Sequence, residues 1–166
     1  MKNQTRAVWI DGLFCALIGY GIVVVGFALL NLLAGRSLFF TPALFGGALF
    51  YGLEDASELS ITPGPVLAYN MVHMLAFLVL GTLASWLVTE ADRHPVVRYL
   101  ILFVLIFVAA HVYAALVFFA IPLVAQGDAF GIGASSVAAA AGMGWYLLQR
   151  HPHLRAGLRE IPIGSE

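Results

Sequence analysis

Residues 8–33 read VWIDGLFCALIGYGIVVVGFALLNLL, and this stretch decides the class of fold. It contains one charged side chain, Asp11, in a run that is otherwise almost entirely apolar. A helix needs roughly 20 residues to cross the hydrocarbon core of a bilayer. The run exceeds this length, and it is about twice as long as the apolar part of a signal peptide. We therefore predict a retained transmembrane helix.

Three further segments have the length and composition of membrane-spanning helices. They cover residues 65–88, 97–121 and 129–148, and each is bounded by charge, proline or glycine. A fifth apolar run, residues 38–52, is too short to cross and is interrupted by Pro42, Gly46 and Gly47. The sequence thus predicts an all-α integral membrane protein with four transmembrane helices. Residues 38–52 are predicted to form a short interfacial or re-entrant helix on the outer side.

The composition of the whole chain agrees with a lipid environment. Hydrophobic residues make up 61% of its 166 residues and charged residues only 10%, whereas soluble domains carry about 25% charged residues. The net charge of −1 does not suggest a nucleic-acid partner. Cys15 is the only cysteine, which excludes an internal disulfide and a cysteine-based metal cluster. We expect one membrane domain, residues 1–166, with a polar cytoplasmic tail at 150–166.

The distribution of basic residues predicts the orientation in the membrane. In a four-span topology seven basic residues fall on one side: Lys2, Arg6, Arg93, Arg98, Arg150, Arg155 and Arg159. Only Arg36 falls on the other side. Because loops on the cytoplasmic side are enriched in lysine and arginine, we predict that both termini are cytoplasmic. The expected location is the inner membrane of a bacterium.

Small residues mark the surfaces through which helices can pack. Lipid provides no hydrophobic drive for helix association, so close contact depends on small side chains. The first span carries Gly12, Gly19 and Gly26 at intervals of seven residues, and the fourth carries Gly131, Ser135, Ala139 and Gly142. These surfaces are either contacts within the bundle or a surface for a partner membrane protein or a second copy of the chain.

Few polar residues lie inside the predicted spans, and each is a candidate for function because polar groups are costly in lipid. Asp11 is expected to sit in water at a helix end. His73 and His111 occupy consecutive spans at nearly the same depth, and His73 shares its helix face with Asn70. Two level histidines on facing helices can be the axial ligands of a b-type haem.

Two other interpretations of these histidines stay open. Each ring could instead form a hydrogen bond across helices, for example to Asn70, a serine or a backbone carbonyl. Copper is a weaker variant of the metal hypothesis, since Met71 and Met74 flank His73 and supply soft sulfur ligands. The same two methionines are also ordinary filler for a membrane helix.

The sequence gives little support for catalysis. We find no nucleophile–base pair of recognisable spacing, no phosphate-binding loop and no HExxH motif. The leading hypothesis is a non-enzymatic accessory or structural subunit of a larger bacterial membrane complex, respiratory or photosynthetic. The alternative is a small electron carrier that holds one b-type haem between His73 and His111, with Asn70 beside it.

Overall fold

A computed structural model describes the backbone of residues 2–107, 110 and 129–159, and the side chains of residues 6–107, 110 and 131–158. Every regular element in these residues is helical. The helices are α1 (Lys2–Leu33), α2 (Phe40–Phe50), α3 (Pro63–Arg93), α4 (Arg98–Phe107), α5 (Ala129–Arg150) and α6 (Pro152–Arg159). A single 3₁₀ turn, Ala56–Glu58, lies between α2 and α3.

Three of these helices are long and apolar enough to cross a bilayer, which indicates a membrane protein. The crossing segments are Arg6–Leu33, Pro63–Arg93 and Gly131–Arg150, and they correspond to the predicted spans at 8–33, 65–88 and 129–148. Helix α4 begins inside the predicted span at 97–121, but residues 108, 109 and 111–128 lie outside the described part of the chain. The fourth span therefore stays a prediction.

Helix boundaries follow from local backbone chemistry. At the end of α1, the Arg36 N–H donates to the Asn31 carbonyl at 2.8 Å and the Gly35 N–H donates to the Leu32 carbonyl at 3.0 Å. This pair of bonds is the Schellman motif, and glycine suits it because Gly35 adopts a φ of 67°. Helix α3 begins with Pro63, whose missing N–H costs nothing in the first turn.

Helix α1 lies between α3 and α5, and glycines set both contacts. A Cβ added at Gly12 would lie 2.7 Å from the Thr82 Cα of α3, so the two backbones touch at this point. Farther along α1, a Cβ at Gly26 would lie 2.7 Å from the Ser135 hydroxyl of α5. Glycine permits these approaches because it has no side chain to hold the helices apart.

The short helix α2 packs against the beginning of α3. It buries Ala43 and Leu44, and the Gly46 Cα lies directly against the backbone of Pro65. The Asn31 amide donates to the Leu38 carbonyl at 3.3 Å and accepts a bond from the Thr41 hydroxyl at 3.0 Å. These bonds connect the end of α1 to the start of α2. The predicted element at 38–52 is thus a helix, Phe40–Phe50, held against the beginning of α3.

Contacts between helices place several arginines at one end of the bundle. The Ser85 hydroxyl donates to the Val8 carbonyl, so the end of α3 lies beside the start of α1. The end of α5 and the start of α4 join them through Arg150 and Arg98, which bond to Asp11 and to the Ala91 carbonyl. We call this the arginine-rich end; it carries Arg6, Arg93, Arg98 and Arg150.

The chain after α5 packs on this end as a helix. The sequence predicts a polar surface tail at 150–166, whereas Arg150 is still part of α5 and α6 begins at Pro152. Leu154 of α6 is completely buried in a core cluster with Cys15, Ala84 and Leu147. The apolar residues at 154 and 158 stand one turn apart on α6, and this spacing gives the helix one face that can pack.

Candidate functional site

The first polar cluster joins α1 to α5 at the arginine-rich end. Asp11 is only 6% exposed. Its Oδ1 atom accepts a bond from Arg150 Nε at 2.9 Å and another from the Tyr146 hydroxyl at 3.2 Å. The prediction that Asp11 sits in water is therefore wrong. The reason is that two side chains one turn apart on α5 reach over α1 and cover the carboxylate.

The contacts of this cluster join α1 to α5, and its charged groups are already paired. The carboxylate charge is compensated by the guanidinium, and the Tyr146 hydroxyl satisfies a further lone pair. The Arg150 side chain is about half exposed, which lets the rest of its guanidinium stay hydrated. The contact connects residues 139 positions apart in the chain. It therefore fixes the first helix to α5.

The second cluster is a column of aromatic rings along one face of α3. His73 lies between Tyr69 and Phe77, with ring centroids 5.0 Å and 5.1 Å away. Phe45 of α2 stacks on Tyr69 at 5.6 Å, and Tyr20 of α1 approaches His73 at 6.0 Å. We call these five residues the aromatic column. It brings together three helices at the level of His73.

The polar groups beside the column form hydrogen bonds with one another or with the backbone, and not with His73. The Tyr20 hydroxyl donates to Asn70 Oδ1 at 2.8 Å, and the Asn70 amide nitrogen donates to the Val66 carbonyl at 2.7 Å. His73 Nε2 is buried and has no hydrogen-bond partner among the described residues. The hydrogen bond considered between Asn70 and His73 does not form. A buried nitrogen without a partner costs about 1–3 kcal/mol, so a hydrogen-bond donor, a hydrogen-bond acceptor or a metal ion at Nε2 would be stabilising.

The residues of the column fit a haem only in part. An imidazole nitrogen without a partner is the right chemistry for an axial ligand. However, protein atoms already cover Nε2 and rings stand on several sides of His73, so a macrocycle would have to displace them. His111, the second predicted ligand, lies outside the described residues. The proposed pair is thus untested.

The described residues also give little support for another metal centre. They contain no group of three or more histidine, cysteine, aspartate or glutamate side chains that could hold an ion. Met71, one of the two sulfur ligands considered for copper, is 73% exposed and its side chain faces away from the bundle. The thiol of Cys15 is free and buried in the core.

The small residues singled out in the sequence lie at contacts within the chain. Gly12 meets Thr82, Gly19 meets Phe77 and Met143, Gly26 meets Ser135, and Gly142 meets Ile22. Gly131, Ser135 and Ala139 are buried as well. Of the two interpretations of these residues, the structure shows the one within the bundle. It does not test whether a partner also uses them.

A second small face, which the sequence analysis did not separate from the first, lies on the outside of α5. Ala134, Ala138 and Ala141 are exposed there and lie within one or two turns of each other. We call these three alanines the outer face of α5. The sequence shows that α5 carries small residues on all sides. Only its packing against α1 shows which of these residues are buried and which are exposed.

No family model, curated protein or solved structure matches this chain. The functional argument consequently rests on the geometry of the described helices.

Proposed function

We propose that this chain is a non-enzymatic accessory or structural subunit of a larger bacterial membrane complex, respiratory or photosynthetic in type. In this proposal it lies in the cytoplasmic membrane with both termini in the cytoplasm. The observation that supports it is the outer face of α5. The described helices leave these three alanines exposed, although small residues are what a second helix needs for close approach.

The exposed side chains of α3 differ in size from these alanines. The exposed positions along α3 carry large apolar side chains, such as Leu67, Met71 and Leu75, which suit contact with lipid chains. Helix α5 also exposes Val137 and Trp145, but the stretch that carries Ala134, Ala138 and Ala141 offers a partner helix a close approach to the backbone. The buried polar residues Asp11 and Ser85 are used to join helices. These features favour a part of an assembly over an isolated enzyme.

The size of the gently extracted protein tests this proposal. We would solubilise native membranes in a mild detergent and measure the mass of the particle that contains the chain. The wild type is expected in a particle larger than one chain in its detergent belt. Ala138→Phe should reduce this mass, because a phenyl ring would hold a partner helix away. Leu75→Phe, at an exposed position of α3, is the matched control and should leave the mass unchanged.

A particle of one chain from fully extracted native membranes would contradict the proposal. The same holds if both phenylalanine variants keep the wild-type mass.

A b-type haem carrier is the second candidate, because His73 Nε2 is buried and none of the described residues forms a hydrogen bond with it. The test is a reduced-minus-oxidised absorption spectrum of gently purified protein. This candidate expects the sharp α band of a reduced b haem, lost in both His73→Ala and His111→Ala. A featureless spectrum from native material would leave His73 as a packing residue. It would favour the structural role.

A further inference from the structure

An open apolar groove of about 720 Å³ runs between α1 and α3 near the arginine-rich end. Trp9 and Leu13 of α1 form one wall, Val79, Leu83 and Trp86 of α3 form the other, and Thr82 lies at the bottom. We call it the tryptophan groove. It is separate from the aromatic column and from the outer face of α5.

The groove exists because α1 and α3 touch at glycine. Because Gly12 has no side chain, the backbone of Thr82 approaches α1 directly. The larger side chains of both helices beside this contact extend beyond it and line the groove. The Thr82 hydroxyl donates to the Leu78 carbonyl at 2.7 Å within its own helix. Its polarity is therefore satisfied, and the bottom of the groove presents a largely apolar surface to a ligand.

Two arginines, Arg6 and Arg93, follow the two tryptophans of the groove toward the arginine-rich end. Arg6 lies one turn before Trp9 on the same face of α1, and Arg93 lies two turns after Trp86 on α3. Arg93 is paired with Glu90 at 2.9 Å. Arg6 is exposed and forms no ion pair with any residue of the described part of the chain. Arg6 therefore adds one guanidinium, one turn beyond Trp9, that has no ion-pair partner among the described residues.

The order of these groups along the membrane normal matches one class of ligand. From the membrane interior outward, the protein presents an apolar slot, two indole rings at the level expected for an interface, and then a guanidinium. A phospholipid presents an acyl chain, a glycerol region and a phosphate in the same order. We propose that the tryptophan groove binds one anionic phospholipid, with an acyl chain between Trp9 and Trp86 and its phosphate at Arg6.

A helix of a partner protein fits the groove less well. The groove follows α3 from Leu78 to Trp86, about 12 Å along the helix axis. A helix with its side chains is about 10–12 Å wide, so the groove is only about as long as one crossing helix is wide and would give a partner helix a short contact. A partner helix also would not need the unpaired charge of Arg6.

Lipid adducts measured by native mass spectrometry give the first test. Protein released from nanodiscs should retain one anionic phospholipid in preference to a zwitterionic one. Arg6→Gln should weaken retention of the anionic lipid about fivefold and remove the preference, since a basic residue near the surface contributes about 1 kcal/mol to anionic lipid binding. Val79→Phe should remove the adduct by filling the groove. Leu75→Phe, one turn away and outside the groove, should retain it.

Tryptophan fluorescence gives a second test that does not depend on removing lipid from the membrane. The chain has three tryptophans, and Trp145 lies on α5 outside the groove. We would compare Trp145→Phe, which keeps the groove pair, with the double variant Trp9→Phe/Trp86→Phe, which keeps Trp145. A brominated anionic phospholipid, added sparsely to zwitterionic nanodiscs, should quench the groove pair more strongly than Trp145. Arg6→Gln should abolish this difference.

Equal quenching of the two variants would overturn the proposal. It would also be overturned by an adduct that survives Val79→Phe, or by a protein helix found in the groove in the native assembly.

Discussion

Gly12 of α1 and Gly81 of α3 face each other where the two helices cross. A Cβ added at Gly81 would lie 2.6 Å from the Gly12 carbonyl oxygen and 2.7 Å from the Ala16 backbone nitrogen. Both neighbours are backbone atoms, which cannot rotate away as a side chain can. The contact lies close to the Asp11 cluster and beside the tryptophan groove. The position of α3 relative to α1 therefore depends on these two glycines.

We expect Gly81→Ala to lower the free energy of unfolding by about 1–3 kcal/mol, the usual cost of forcing a methyl group into a packed site. The control is Gly21→Ala on α1, because the space around Gly21 is open. The measurement is denaturant-induced unfolding in detergent, followed by circular dichroism. Equal stability of the two variants would contradict the close approach of α1 and α3.

The Asp11–Arg150 pair predicts a strong coupling between α1 and α5. Arg150→Gln should be destabilising, because it leaves a buried carboxylate with only the Tyr146 hydroxyl as a partner. Asp11→Asn should cost less, since Arg150 is half exposed and can be hydrated. In a double-mutant cycle of unfolding free energies we expect a coupling of about 1–3 kcal/mol. Simple additivity of the two substitutions would show that the pair does not form.

His73→Phe tests whether the histidine is only a packing residue. The phenyl ring keeps the contacts with Tyr69 and Phe77 and removes the buried nitrogen that has no partner. The expected result is a stability unchanged or raised by about 1 kcal/mol in thermal unfolding. Asn70→Leu is the comparison and should destabilise, because the Tyr20 hydroxyl loses its acceptor. A clear loss of stability in His73→Phe would instead indicate a bound ligand at Nε2.

Neighbouring glycines in α2 should respond differently to alanine. A methyl group at Gly46 would collide with the Pro65 backbone, whereas one at Gly47 would meet the Leu53 side chain at 3.0 Å, which can move. Gly46→Ala should therefore release α2 from α3 and speed hydrogen exchange in Phe40–Phe50. Gly47→Ala should change this exchange much less. Faster exchange in Gly47→Ala than in Gly46→Ala would contradict the observed contact between α2 and α3.

Three of the four predicted spans match long apolar helices of the structure, because their signal in the sequence is local. Residues 8–33 form one long apolar run, and the part of α1 that is long and apolar enough to span a membrane, Arg6–Leu33, departs from it by two residues. The stop at Gly35 and the start at Pro63 also follow from local backbone preferences. The spacing of Gly12, Gly19 and Gly26 indicated a packing surface. In the structure this surface turns from α3 to α5 along the helix.

The candidate sites were harder to predict because their partners are distant in the chain. Nothing near Asp11 shows that Tyr146 and Arg150, more than 130 positions later, will cover it. Depth along the helices suggested a pair of His73 with His111, but it gave no information about which rings surround His73. The repeat of aromatic residues at 69, 73 and 77 was readable as one face of α3. It would have indicated that His73 belongs to a ring stack.

The measurement that tests the proposed role most directly is photocrosslinking from the outer face of α5 in native membranes. A benzophenone amino acid would replace Ala138, and the control would carry it at Leu75 of α3, where the exposed surface suits lipid. We predict one discrete crosslinked protein species from position 138 and no such species from position 75. If position 138 gives only lipid adducts on a single chain, the outer face of α5 is a lipid surface and the chain is not a subunit bound through it.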